Sequence, residues 1–344
     1  MRTLRYAAAP ALSLVLAAAL VPSATAAGTT PDLPDTAHRN HFAVIGDVPY
    51  GADQVARFPG WVDEIDAADP EFTVHVGDIK SGSSVCSDSY ITNIRDVLDT
   101  LSSPFIFTPG DNEWTDCHRV NNGAYNPLER LDFVRATFFP DPGRTLGEKT
   151  RKVEADTAAG YPENVQWRED RVSMAAVHVV GSNDGTQPWT GLGLTAPTPE
   201  QLAEQDARME SALRTVREAF ADARRRQDRA VAIFLQADMF DPTYDVPLSN
   251  VSEFTPLVQL LIDESNAFDG ETYLFNGDSH AYNEDQPLAE GSPWLDLYGV
   301  TGSSDLRRVT VDGSGNNTNW LDVTVNPVRS GLPVLTWERV PYTS

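Results

Sequence analysis

The chain has 344 residues and a formal net charge of −24, with 26 basic against 50 acidic side chains. That balance excludes the basic stripe with which nucleic-acid binders neutralise phosphates. The cluster Arg224-Arg225-Arg226 falls at the predicted end of a helix, where cations complement the helix dipole.

In chain order, Arg2 and Arg5 precede an apolar run from Ala7 to Val21 and the small-residue stretch Ser23 to Ala27. This is the three-part layout of a secretory signal peptide over residues 1–27. The mature chain is therefore expected to be secreted or extracytoplasmic. The run is too short for a transmembrane helix and has no equal later, so no stable membrane anchor is expected. Removing residues 1–27 takes away two positive charges and no negative one, moving the net charge from −24 to −26. Residues 28–40, polar and carrying Pro31 and Pro34, read as a disordered lead-in. Residues 41–344 are long enough for one large α/β domain.

A recurrent pattern begins at His41. The apolar run His41 to Ile45 ends in Gly46-Asp47, Phe72 to Val76 in Gly77-Asp78, and Phe105 to Phe107 in Pro109-Gly110-Asp111. The same pattern returns at Tyr273 to Phe275, before Gly277-Asp278, and the run Val231 to Leu235 ends in Gln236. Each reads as a buried strand with a polar residue at its carboxyl end.

Between the strands, helices are predicted over Asp88 to Leu101, Thr198 to Arg226 and Thr255 to Ser265. The second opens with Thr198 as N-cap, Pro199 in the first turn and Gln201 completing a capping box. Leu202, Met209, Leu213, Val216 and Phe220 form its predicted apolar face. Residues 123–196 read as an excursion around one strand, Val172 to Val180, which ends in Gly181-Ser182-Asn183-Asp184. The closing runs over 308–313, 320–325 and 333–340 suggest a C-terminal β meander. Strands alternating with helices indicate an α/β sandwich.

Cys86 and Cys117 make an even count in an exported chain, so a disulfide between them is expected; two buried thiols are the alternative.

In open α/β sheets, ligands bind outside the carboxyl ends of strands, which makes the strand-end carboxylates candidates for one site. Crowded carboxylates raise each other's pKa unless a cation compensates them, so a metal accounts for the cluster. No GxSxG elbow or Cys/His nucleophile context is present.

The ordered blocks GDVPYG (46–51), GDIKSG (77–82), PGDNEW (109–114), the strand ending in Gln236 and NGDSH (276–280) resemble those of the calcineurin-like metallophosphoesterases, which include purple acid phosphatases. The resemblance implies a single-domain α/β sandwich of two mixed β-sheets flanked by helices. It also implies hydrolysis of a small phosphorylated substrate, as a phosphatase or phosphodiesterase, by a metal-bound hydroxide.

By position, Asp47 would bind one metal and Asp78 would bridge two. Asp111 stands where an Asn ligand is usual, Asn112 where a catalytic His is usual, and Gln236 and Asp278 where His ligands are usual; His280 is retained. One or two divalent ions are implied, and the oxygen-rich set favours Mn, Mg or Ca, with Fe or Zn as alternatives. Because Asn112 cannot act as an imidazolium acid, His118 is the first candidate for that role, with Asp116 and Glu113 beside it. Tyr50 and Lys80 are candidate substrate contacts. The competing reading is a non-catalytic metal-binding or ligand-binding protein on the same fold. No feature of the sequence sets the oligomeric state.

Overall fold

The computed structural model describes residues 40–343, so the predicted signal peptide and nearly all of the lead-in lie outside the described residues. In chain order the strands are β1 (His41–Ile45), β2 (Thr73–His75), β3 (Phe105–Phe107), β4 (Glu154–Asp156), β5 (Tyr161–Glu169), β6 (Val172–Ala176), β7 (Ala230–Phe234), β8 (Glu271–Asn276), β9 (Asn283–Asp285), β10 (Arg307–Thr310), β11 (Asn319–Val325) and β12 (Leu335–Pro341).

They form two mixed sheets, in the orders β12-β11-β1-β2-β3 and β4-β5-β6-β7-β8-β10-β9. In the first, β1, β2 and β3 run parallel and β11 pairs antiparallel with β1. In the second, β6, β7, β8 and β10 are parallel neighbours. The arrangement matches the two-sheet, helix-flanked sandwich implied by the motif order.

The continuous apolar runs follow from burial on both faces, as parallel strands require. Phe42 and Val44 of β1 join Phe72, Val74, Trp167, Phe234 and Phe275 in the core between the sheets. Alternate residues Ala43 and Ile45 pack outward against Phe58, Trp61, Ile91 and Phe138, from helices Gly51–Ala67, Asp88–Leu98 and Pro127–Phe138. On the second sheet, Val231 and Ile233 meet Val216, Phe220, Leu257 and Leu261 from helices Pro199–Arg226 and Thr255–Asn266.

The capping box forms as predicted: Gln201 N donates to Thr198 Oγ1 at 3.1 Å, and Thr198 N donates to Gln201 Oε1 at 3.3 Å. Leu202, placed on the apolar face from the sequence, is instead exposed, while Arg208 is buried in an ion pair with Asp184. The helix over Gly51–Ala67 carries Pro59 and starts at a glycine, which hid it from a pattern reading.

Residues 123–196 hold more than one strand: helix Pro127–Phe138, β4 and β5 precede β6, which stops at Ala176 rather than Val180. The closing runs do not form one meander. β10 arrives after helix Pro293–Tyr298, a crossover that suits a parallel neighbour, and it pairs with β8. β11 and β12 then form an antiparallel pair on the other sheet.

Candidate metal centre

The glycine before each strand-end carboxylate has a steric cause. A Cβ on Gly110 would lie 2.0 Å from Asp78 Oδ1, and one on Gly277 would lie 2.3 Å from Asp47 Oδ2. Adjacent strand ends thus meet through space that any side chain would fill. Asp47, Asp78 and Asp278 take φ values of 52°, 62° and 74°, a left-handed conformation that Asp tolerates better than most residues.

Two groups of potential ligand atoms result. Those of Asp47, Asp78 and His280 all lie within 4.8 Å of one another, as do those of Asp78, Asp111 and Asp278. Asp78 belongs to both.

Hydrogen bonds hold the groups in place. Asp278 N donates to Asp47 Oδ2 at 3.0 Å, and His280 Nε2 stands 3.3 Å from Asp47 Oδ1. The Tyr50 hydroxyl donates to Asp78 Oδ2 at 2.9 Å and lies 3.5 Å from Asp47 Oδ1. Tyr50, a candidate substrate contact from the sequence, is thus hydrogen-bonded within the carboxylate cluster. Glu113 Oε1 accepts from Gly110 N at 2.7 Å and Asp78 N at 3.1 Å, bracing two of the strand ends from below.

Three residues read as site members face differently from expectation. Asn112 presents its amide nitrogen to the cluster, donating to Asp78 Oδ2 at 2.6 Å and the Tyr50 hydroxyl at 2.7 Å. The oxygen of Gln236 accepts from Gly181 N at 2.6 Å, while its nitrogen is 3.3 Å from Asp78 Oδ2. Lys80 is buried, and its ammonium donates to the carbonyls of Ser81 and Asn112, each at 2.8 Å.

His118 Nδ1 accepts from Gly191 N at 3.1 Å, which turns the ring toward the turn at Thr190–Leu192. Among the described residues that is its side-chain hydrogen bond, and no carboxylate of the cluster shares it. The disulfide between Cys86 and Cys117 is present and joins the loops after the second and third blocks.

The electrostatics record crowding. Burial, then the charges of Asp111, Glu113 and Asp47, push Asp78 well above the usual carboxylate range. Burial followed by Asp111 and Asp47 does the same to Asp278. Burial raises Asp111 too, opposed by the Ser182 hydrogen bond and the Arg119 charge. Glu113 is pushed up to about 7, chiefly by burial. Burial works against the charged form of His280, but its bond to Asp47 and that residue's charge outweigh it and raise the pKa. Burial and the nearby Arg119 lower that of His118, which favours its neutral form. Buried oxygen donors that resist ionisation side by side are the donor set a hard divalent cation relieves, so the residues present fit such an ion.

Two contributors escaped the sequence reading. Ser182, Asn183 and Asp184 have φ of 56°, 56° and 55°, a left-handed turn costly for non-glycine residues. Arg208 holds it through Asp184 at 2.5 Å, and the turn sets Ser182 Oγ 2.7 Å from Asp111 Oδ2. Asp238 N donates to Asp278 Oδ2 at 3.2 Å, and its carboxylate accepts from Ser279 Oγ and pairs with buried Arg308. The GSND stretch repeats the glycine-then-polar ending of a buried strand and carried the signal for Ser182; nothing in sequence linked Asp238 to Asp278.

Two ligand groups sharing one carboxylate, at the carboxyl edge of a two-sheet sandwich, define a candidate centre for two metal ions. The chain is similar in structure to a dimetal phosphatase from Danio rerio, at 12% identity and a TM-score of 0.46 over 88% of this chain and 99% of that one. It is also similar to a putative 5'-nucleotidase from Staphylococcus aureus, at 11% identity and a TM-score of 0.45 over 88% of this chain and 54% of that one. A purple acid phosphatase from yellow lupin (Lupinus luteus) seeds gives 11% identity and a TM-score of 0.42 over the same shares. No protein-family model and no curated protein matches the chain.

Proposed function

We propose that the chain is an exported, metal-dependent phosphoester hydrolase, a phosphatase or phosphodiesterase acting on a small phosphorylated substrate. The observation that carries this reading is the place of Asp78 in both ligand groups. Asp47, Asp78 and His280 would hold one divalent ion, and Asp78, Asp111 and Asp278 the other, with Mn, Mg or Ca favoured by the oxygen donors. Such ions supply polarisation of a phosphoryl oxygen and acidification of a water molecule.

The chain's own part is orientation. Tyr50 and Asn112 both donate to Asp78 Oδ2 and so fix the carboxylate that the two groups share. Glu113 accepts the amides of Gly110 and Asp78, which sets the spacing of the second and third strand ends. Ser182 fixes Asp111 from the opposite sheet.

One observation favours the second reading, a metal-binding protein without catalysis: the Asn112 carboxamide is far too weak an acid to protonate a leaving group. Metal content, then hydrolysis of p-nitrophenyl phosphate and its bis ester with Mn²⁺, Ca²⁺ or Zn²⁺, separates the two. Asp78→Asn is expected to keep the fold by circular dichroism and to lose both bound metal and turnover. Turnover equal to wild type in that variant would refute the mechanism, and metal binding without turnover in the wild type would establish the second reading.

A further inference from the structure

The GDIKSG block ends in a glycine that the metal centre does not use. A Cβ on Gly82 would lie 2.7 Å from Asn112 Oδ1, 2.9 Å from Arg119 Nη1 and 3.1 Å from Asp116 Oδ2. The missing side chain lets a guanidinium, a buried carboxylate and the outer edge of the Asn112 amide converge. The inner edge of that amide contacts Asp78.

Arg119 is held at this point from one side only. Its Nη1 is 2.6 Å from Asp116 Oδ2 and donates to Gly82 O at 3.2 Å. The Asp116 side chain is 5% exposed, whereas that of Arg119 is 41% exposed. Among the described residues Nε and Nη2 make no hydrogen bond, so one edge of the guanidinium fork is free.

The support is firm. Asn122 Nδ2 donates to Gly82 O and Asp116 O, each at 3.0 Å, and the disulfide anchors Cys117 two residues before Arg119. Lys80, expected from sequence to meet a substrate anion, has its ammonium occupied by two carbonyls.

A phosphate group approaching this centre meets a cluster of carboxylates, and a planar guanidinium with a free edge matches two phosphate oxygens. We propose that Arg119 binds the non-bridging oxygens of the substrate's phosphoryl group beside the metal centre, with Asp116 and the gap at Gly82 setting its position. The inference rests on the hydrolase reading for its substrate, but not for its binding test.

Inorganic phosphate titrated calorimetrically into the Mn²⁺-loaded protein tests it, with metal content and circular dichroism measured in each variant. Arg119→Ala should weaken phosphate binding about 10- to 100-fold at unchanged metal content, and Arg119→Lys should recover part of the loss. With p-nitrophenyl phosphate, Arg119→Ala should raise KM more than it lowers kcat.

Phosphate affinity equal to wild type in fully metal-loaded Arg119→Ala would overturn the proposal and leave the hydrolase reading standing. Loss of bound metal in that variant, or no phosphate binding by the loaded wild type, would also overturn it. Arg119-dependent phosphate binding in a wild type that hydrolyses neither ester would support the proposal and reject the hydrolase reading.

Discussion

At the scale of single residues, the centre depends as much on atoms left out as on ligands supplied. Gly110 has the narrowest allowance, since a Cβ would stand 2.0 Å from Asp78 Oδ1. Gly110→Ala must push aside the shared carboxylate or the third strand end. The expected outcome is about 1–3 kcal/mol of destabilisation from overpacking. Calorimetric Mn²⁺ titration should show at least a tenfold loss of affinity, because Asp78 serves both ligand groups.

Asp47, Asp78, Asp111 and Asp278 were legible in sequence because a buried strand ending in glycine and a carboxylate is a local pattern. The sequence points to His118 because an imidazole titrates near neutrality and the Cys86–Cys117 disulfide would hold its loop near the site. The 3-10 turn at Thr115–His118 and the neighbouring turn at Gly191 carry its ring elsewhere. Arg119, one residue further on, meets Asp116 and the edge of Asn112 in the space that Gly82 leaves open, a fact of packing that no spacing encodes.

At the scale of elements, the loops after the second and third blocks owe their relative position to Cys86 and Cys117. The bridge spans a sequence separation of 31, for which loop-closure entropy assigns roughly 3–4 kcal/mol to the native state. Replacing both cysteines with alanine should lower unfolding free energy by about that amount in urea, with little change in far-ultraviolet circular dichroism.

The helix Pro199–Arg226 was readable because its start carries a capping box whose hydrogen bonds both form. Its buried stripe was read less well, since Arg208 is internal through its pairing with Asp184 and Leu202 is not. Met209, Val216 and Phe220 are buried as their spacing predicts, and Arg208 is buried beside them through its ion pair.

For the molecule as a whole, the sheets adhere through aromatic side chains. The Phe234 ring stacks on Phe275 at 5.1 Å between centroids and on Trp167 at 5.7 Å, and meets Phe42 edge-on at 6.0 Å. Phe234→Ala should cost about 3–5 kcal/mol in urea unfolding, because neighbours from three other strands cannot all close the void.

That two layers exist was legible from strands apolar on both faces. Which sheet each closing strand joins was not, since β10 and β11 are similar short runs and differ in the connections that deliver them.

The steric interlock of glycines with facing carboxylates also bears on how such a site can change over generations. A side chain that points into the centre can be exchanged for another donor by one substitution without moving a strand, so carboxylate, carboxamide or imidazole can each be accommodated there. Gly110 and Gly277 have no such freedom, since each would bring its new atom onto the carboxylate of another strand. The donor set of this candidate centre is therefore open to single-step change, whereas the spacing of its strand ends can be rebuilt only by coordinated changes in two strands.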